Sequence, residues 1–178
     1  MPGRPTTVLV EGASDRAALE ALARRAGLDL EAAGVSVVAM GGATGVGSCL
    51  ARYGPTGADH RLLGLVDRAE ATYVDRVLDR AALGPTVRFE VCDADLEDEL
   101  VRCLGTDAVL DVIAAAGELA SIRLLQRQPA QRGRPLEAQL HRFFAGRSGH
   151  KLTYARLLVE ALPPGAAPPP LARLVAQL

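Results

Sequence analysis

Acidic side chains recur wherever a short apolar run ends. Glu11 and Asp15 follow Val8–Val10, Asp67 and Glu70 follow Arg61–Val66, and Asp93, Asp95, Glu97 and Asp98 follow Thr86–Val91. Runs of this length read as buried strands, and the apolar spacing after the first and third reads as helix. The acids of the first, third and fourth strands would then arrive at one edge of a sheet. Gathered carboxylates repel one another, and a divalent cation offsets the repulsion; oxygen-only ligands select Mg²⁺ or Mn²⁺. Two such ions can clamp a scissile phosphate and activate a water. Against this stands the ordinary use of Asp and Glu as helix caps and first-turn residues, which needs no ligand. Ser14 or Asp15 could cap the first helix in that way.

The elements that must carry these acids follow from periodicity. Strands are predicted at Val8–Val10, Val35–Ala39, Arg61–Val66 and Thr86–Val91. Helical spacing runs through Ala18, Leu19, Leu22 and Ala23, through Ser48–Tyr53, and through Ala69–Leu83, where Gly84 and Pro85 stop it. Leu28–Ala33 extends or reprises the first helix, with Gly34 as a stop. Strand and helix alternating in this way predict right-handed crossovers. The fold expected is α/β, a compact Rossmann-like four-stranded, mainly parallel sheet with flanking helices. Past Asp95 only helices are predicted, at Leu96–Leu104, Thr106–Ala116, Glu118–Gln128, Pro135–Ala145 and Thr153–Leu162, giving a helical C-terminal half. Gln128–Pro135 reads as a basic surface loop and Pro163–Pro170 as a proline-rich linker; Leu171–Leu178 either docks back or frays.

The bulk numbers narrow the classes. A chain of 178 residues fits one domain, and at 49% hydrophobic it can bury a core. With three Phe, three Tyr and no Trp, that core must be Leu, Val and Ala, and little is left for stacking on bases. A net charge of −1 argues against a general nucleic-acid coat while allowing a local basic face, for which Arg123, Arg127, Arg132, Arg134, Arg142 and Arg147 are candidates. Cys49, Cys92 and Cys103 are odd in number and lack C-x-x-C spacing, so neither a disulfide framework nor a zinc site is expected. No signal peptide or membrane span is read, and a cytoplasmic protein without membrane contact is expected. Gly42-Ala-Thr-Gly-Val-Gly47-Ser48 imitates a nucleotide phosphate loop, but Ser48 stands where the lysine is required. No ATP site is expected; the glycines are either a turn admitting close backbone approach or a cradle for a nucleic-acid phosphate. His60 and His141 read as surface residues, whereas His150 beside Lys151 could touch a phosphate.

Leu9-Val-Glu11-Gly12-Ala-Ser-Asp15, then Gly41-Gly42 after the second strand and Leu65-Val-Asp67 at the third, resembles the Toprim domain, and more closely the Toprim half of the OLD (overcoming lysogenisation defect) nucleases. Asp95-Leu-Glu97-Asp98 is similar to that family's downstream acidic element, and Arg147-Ser-Gly-His-Lys151 to its basic element. The resemblance covers roughly residues 6–162. It implies a Toprim core over 1–105, a helical extension over 106–162 and a tail over 163–178. It implies a phosphodiester site with two Mg²⁺ or Mn²⁺ ions. Glu11 would be a metal ligand and the proton-transfer group, Asp15 and Asp67 ligands, and Glu97 with Asp95 the completion of the second ion. Lys151 would stabilise charge building on the phosphate, and Gly42, Arg147 and His150 would meet phosphate or nucleic acid.

Two departures bear on this. The family's Asp-x-Asp is here Asp67-Arg68-Ala69, so Glu70 would have to supply the second acid. OLD nucleases also carry an ABC-type ATPase ahead of the Toprim part, whereas this sequence starts close to the first strand; a separate ATPase chain, or a domain acting alone, is expected. The activity implied is metal-dependent endonucleolytic hydrolysis, of DNA ahead of RNA, with a homodimer as a further partnership. The alternatives are a non-catalytic module that binds nucleic acid or an ATPase, and a nucleotidyl transferase using the same metals.

Overall fold

The computed structural model describes residues 4–84 and 86–178. Strands β1 (Thr6–Val10), β2 (Val35–Ala39), β3 (Arg61–Asp67) and β4 (Arg88–Cys92) form one sheet in the order β2-β1-β3-β4, and every pairing is parallel. Between them lie α1 (Ala13–Arg25), a 3₁₀ turn (Ala43–Gly45) leading into α2 (Val46–Tyr53), and α3 (Arg68–Arg80). After β4 the described chain is helical: α4 (Leu96–Leu104), α5 (Thr106–Ala115), α6 (Leu119–Arg127), α7 (Leu136–Phe144), α8 (His150–Ala161) and α9 (Pro169–Val175).

Successive strand residues point to opposite faces, and here both faces are covered, unequally. Val8 and Val10 of β1, with Val35, Val37, Leu63 and Leu65, face a core built with α1 and the helices after β4. Leu9, Leu62 and Val66 face a smaller core under α2 and α3. That is why β1 is buried at every position and reads as a continuous apolar run. Gly64 of β3 pairs with Phe89 of β4, and a Cβ on Gly64 would lie 2.1 Å from the Phe89 ring. The glycine makes room for the aromatic side chain beside it.

Helix α8 packs along α1, and its Tyr154, Ala155, Leu158 and Val159 are all fully buried. Arg25 of α1 donates to the carbonyls of Glu160 (2.7 Å) and Leu162 (2.6 Å), satisfying acceptors that the end of α8 would leave open. Leu171 and Leu174 of α9 are also fully buried, so the last segment docks back. Arg173 and Gln177 fasten it to Glu90 of β4 at 2.5 and 3.2 Å.

Three local expectations change. Leu28–Ala33 is a succession of turns: Gly27, at φ +73°, closes α1, and the Asp29 carboxylate accepts from Ala32 N–H at 3.1 Å, competing with helical bonding. Helix α8 begins at His150, three residues before the expected Thr153, after Gly149 at φ +81°. The first helix starts before either Ser14 or Asp15, and of the two it is Asp15 that supplies the capping oxygen. Gly12 is the N-cap, and Asp15 sits at the third helical position, where its Oδ2 accepts from Gly12 N–H at 2.7 Å. Pro85, read as part of a helix stop, lies outside the described residues.

Candidate functional site

The strand order turns at β1: the chain moves from β1 to β2 on one side, then crosses to β3 on the other. In open parallel sheets, the carboxyl ends of the strands flanking such a switch open a crevice where ligands bind. Glu11 directly follows β1 and Asp67 ends β3, so the two acids stand on its lips. They are linked, because Glu11 Oε1 accepts from the Asp67 backbone N–H at 2.7 Å. The Glu11 carbonyl in turn accepts from Gly41 N–H (3.1 Å) and Gly42 N–H (3.0 Å). The glycine turn is therefore a close backbone approach, and the Gly42 amide is engaged with protein. Gly45 is fixed by the same fold, since a Cβ there would meet the Met40 carbonyl at 2.2 Å.

Helix α4 brings the second group of acids. Asp95 is its N-cap, with Oδ1 accepting from Asp98 N–H at 2.8 Å. Asp95 Oδ2 lies 2.6 Å from His141 Nε2 on α7 and 3.9 Å from Lys151 Nζ on α8. Glu97 is only 3% exposed; its Oε2 accepts from Lys151 Nζ at 3.2 Å, and its Oε1 has no hydrogen-bond partner among the described residues. Glu99, 5% exposed, accepts from Asp93 N–H at 2.8 Å and so braces the turn between β4 and α4.

The two groups feel each other. Burial, then the charges of Glu11, Asp15, Asp95 and Glu97, push the Asp67 carboxyl up to about 7. Burial raises Asp15 to about 6; the Gly12 amide opposes, Glu97 and Glu11 add, and Lys151 opposes. Burial alone would lower the Lys151 ammonium, but Glu97, Asp95 and Asp15 outweigh it and the net shift is upward. The acids of strands one, three and four thus share one rim. Among the described residues, however, no three His, Cys, Asp or Glu side chains already form a chelate.

A divalent cation fits what this rim offers. An orphaned carboxylate oxygen is costly when buried, and Glu97 Oε1 is one. The donors are all carboxylate oxygens, and their gathered charge is felt at Asp15 and Asp67, which are both pushed up; this is the chemistry hard cations take. Glu11, Asp15, Asp67, Asp95 and Glu97 are the residues that could hold it.

Other expected site residues lie elsewhere. Glu70 is in the first turn of α3, partly exposed, and enters none of the contacts above; Ala69 beside it is exposed. Arg68 turns to Asp93, at 2.7 Å. Arg147 and His150 both face Glu118, each at 3.3 Å, and Tyr154 donates to the same carboxylate at 3.4 Å. His150 also sits between the rings of Phe143 and Tyr154, and its side chain is 13% exposed. The residues missed from sequence are His141, Glu99 and Glu118. Glu99 carried a faint signal, as an acid spaced two residues from Glu97 on a strongly amphipathic helix; His141 and Glu118 carried none, because their partners lie 46 and about 30 positions away.

Comparison with known proteins bears on the same segments. The family model described as "Overcoming lysogenization defect protein-like, TOPRIM domain" matches residues 6–59, which hold β1, Glu11, Asp15 and the glycine turn. No curated protein matches the sequence. Among solved structures, the C-terminal region of the Burkholderia pseudomallei OLD protein superposes with a TM-score of 0.70 at 20% identity, covering 98% of this chain and 96% of that one. Two structures of the C-terminal region of the Xanthomonas campestris pv. campestris OLD protein, phased with iodine and with mercury, give TM-scores of 0.66 at 19% and 22% identity, covering 96% of this chain and 92% of theirs. Residues 6–59 therefore carry an OLD-like Toprim domain signature, and nearly the whole chain has the fold of OLD C-terminal regions.

Proposed function

We propose that this protein is a divalent-metal-dependent nuclease of the OLD-like Toprim type, acting on DNA phosphodiesters. The observation that carries this reading is Glu97: a carboxylate buried to 3% exposure with one oxygen paired to Lys151 and the other unpartnered, facing acids from two further strand ends. Bound Mg²⁺ or Mn²⁺ would polarise the phosphate and ease deprotonation of the attacking water.

The chain's own residues have distinct tasks. Glu11, with Oε1 tied to Asp67 N–H, keeps its second oxygen for a cation or for the proton of the attacking water. Asp67, pushed up to about 7, keeps a share of its proton near neutral pH and Asp15, at about 6, keeps its own only in mildly acidic solution, so cation binding would release a proton chiefly from Asp67. Lys151 is 44% exposed, which leaves its ammonium free to turn from Glu97 to a phosphate oxygen as negative charge develops there. Arg147 is 62% exposed and is the residue best placed in the basic segment to meet a neighbouring phosphate.

The test is incubation of the pure protein with supercoiled plasmid and Mn²⁺. Nicking by the wild type, absent in Glu11→Ala and in Lys151→Ala, is the expected result. A second reading, a Toprim module that binds without cutting, is favoured by Ala69, which puts no acid where the family has one. Plasmid retention with no cleavage at any Mn²⁺ concentration would select it.

A further inference from the structure

His141 is half exposed, at 52%, on the solvent side of a helix that buries Leu140, Phe143 and Phe144, yet its Nε2 lies 2.6 Å from Asp95 Oδ2. A carboxylate can only accept, so the imidazole must carry its proton on Nε2 and donate. The helix is not free to slide. Leu140, Phe143 and Phe144 are buried in the main core, and Gln139 donates to the Gln131 carbonyl at 2.9 Å while accepting from Gln126 at 3.0 Å. These contacts fix the position of His141, one residue past Leu140, against the N-terminus of α4.

Asp95 has about four lone-pair directions. Asp98 N–H takes one on Oδ1 and His141 takes one on Oδ2, which leaves one on each oxygen. Asp95 is 15% exposed and belongs to the acids that raise Asp67. We propose that His141 is a positioning residue for the cation site: its hydrogen bond holds the Asp95 carboxylate in the one rotation that keeps two lone pairs on the rim beside Glu97 and Lys151. The inference rests on the cation reading given above. Hydrogen-bond partners of ligating groups commonly set affinity by 10–100-fold when removed. Without His141, Asp95 keeps only its Oδ1 anchor on Asp98 N–H, and Oδ2 can turn about it toward Lys151, 3.9 Å away, and away from the cation.

The experiment is Mn²⁺ titration of the full chain by calorimetry, with free Mn²⁺ followed by electron paramagnetic resonance, and thermal melting in parallel. His141→Ala should weaken Mn²⁺ binding by about 10–100-fold and change the melting temperature of the metal-free protein little, because His141 is itself half exposed and Asp95 keeps the Asp98 N–H as a partner. His141→Gln, whose side-chain amide donates from a similar reach, should restore affinity. Wild-type affinity in His141→Ala would overturn the proposal, as would loss of affinity that tracks a fall in melting temperature or that Gln does not rescue. A wild type that binds no Mn²⁺ would overturn the cation reading and this inference together, and the wild-type isotherm tells the two failures apart.

Discussion

The two banks of the acidic rim are held by different means. On the sheet bank, Asp15 and Glu11 accept backbone N–H groups, from Gly12 in the same turn and from Asp67 on a strand that pairs directly with β1. On the helix bank, Asp95 Oδ1 also accepts a backbone N–H, from Asp98, but Glu97 Oε2 and Asp95 Oδ2 are held by side chains, Lys151 of α8 and His141 of α7, which reach them from 54 and 46 positions away. Backbone donors come with the strand register and tolerate substitution. Side-chain donors come with helix packing, and one mutation removes them. On the proposed cation reading, the sheet bank is therefore the more rigid lip and the helix bank the side on which affinity would be tuned.

The largest expected effect falls on the helix bank. Glu97→Gln keeps the side-chain volume and removes the charge; Mn²⁺ affinity should fall by more than about 100-fold, beyond the range for an outer partner. Stability in the absence of metal should hold or rise, since a buried charge has gone. Calorimetry and urea denaturation read the two quantities separately, and retained affinity would place the cation on the sheet bank alone.

Next is Lys151→Ala, which removes the ammonium that pairs with the buried Glu97 at 3.2 Å. The cost should be about 1–3 kcal/mol for an unsatisfied buried group, read from urea midpoints. Added Mn²⁺ should recover much of it, because a ligand that binds only the native state stabilises that state by mass action. A loss that Mn²⁺ does not repair would mean that the lysine is structural.

On the sheet bank the expected signature is a pH dependence. Asp67 titrates at about 7 when folded against an ordinary 3.8. Between those values the unfolded chain gives up the proton first, so the native state binds more protons and stability falls as pH rises. Below the window both states are protonated and the penalty is absent; above it the penalty is constant. Asp67→Asn has no such proton. Its stability advantage over the wild type, measured by urea unfolding in EDTA, should grow from pH 4 toward pH 7 and then level. An advantage that shrinks with rising pH would show that the Asp67 charge is favoured in the fold.

The smallest effect is expected outside both banks. Arg68 pairs with Asp93 at 2.7 Å, but the two side chains are 67% and 56% exposed. Arg68→Ala should cost less than about 1 kcal/mol and leave the Mn²⁺ isotherm unchanged. A measurable drop in affinity would extend the site to the turn between β4 and α4.

Much of the sheet bank was legible in the residues themselves. The runs ending at Val10, Val66 and Val91 are short, mostly apolar and followed by acids, and parallel pairing puts such ends on one edge. Helices α4 and α5 were readable for the same reason, having strong periodicity and clear glycine boundaries. Leu28–Ala33 was misread because its composition suits a helix while Asp29 ties down a turn, and side-chain competition for backbone groups leaves no mark on periodicity. Arg147 and His150 were read together with Lys151 because they are neighbours in sequence. On the helix they diverge: Lys151 turns to Glu97, while His150 and Arg147 turn to Glu118.

By itself the sequence determined the alternation of elements, the parallel sheet and the presence of acid at three strand ends. All of these depend on patterns within a window of a few turns or one strand. Only the tertiary structure decided which oxygens are already spoken for, that Glu97 Oε1 is not, and that a histidine with the look of a surface residue holds Asp95. The physical reason is that a hydrogen-bond partner is chosen by where two packed helices come to rest against the sheet. That position is set by the whole core, not by the residues that meet.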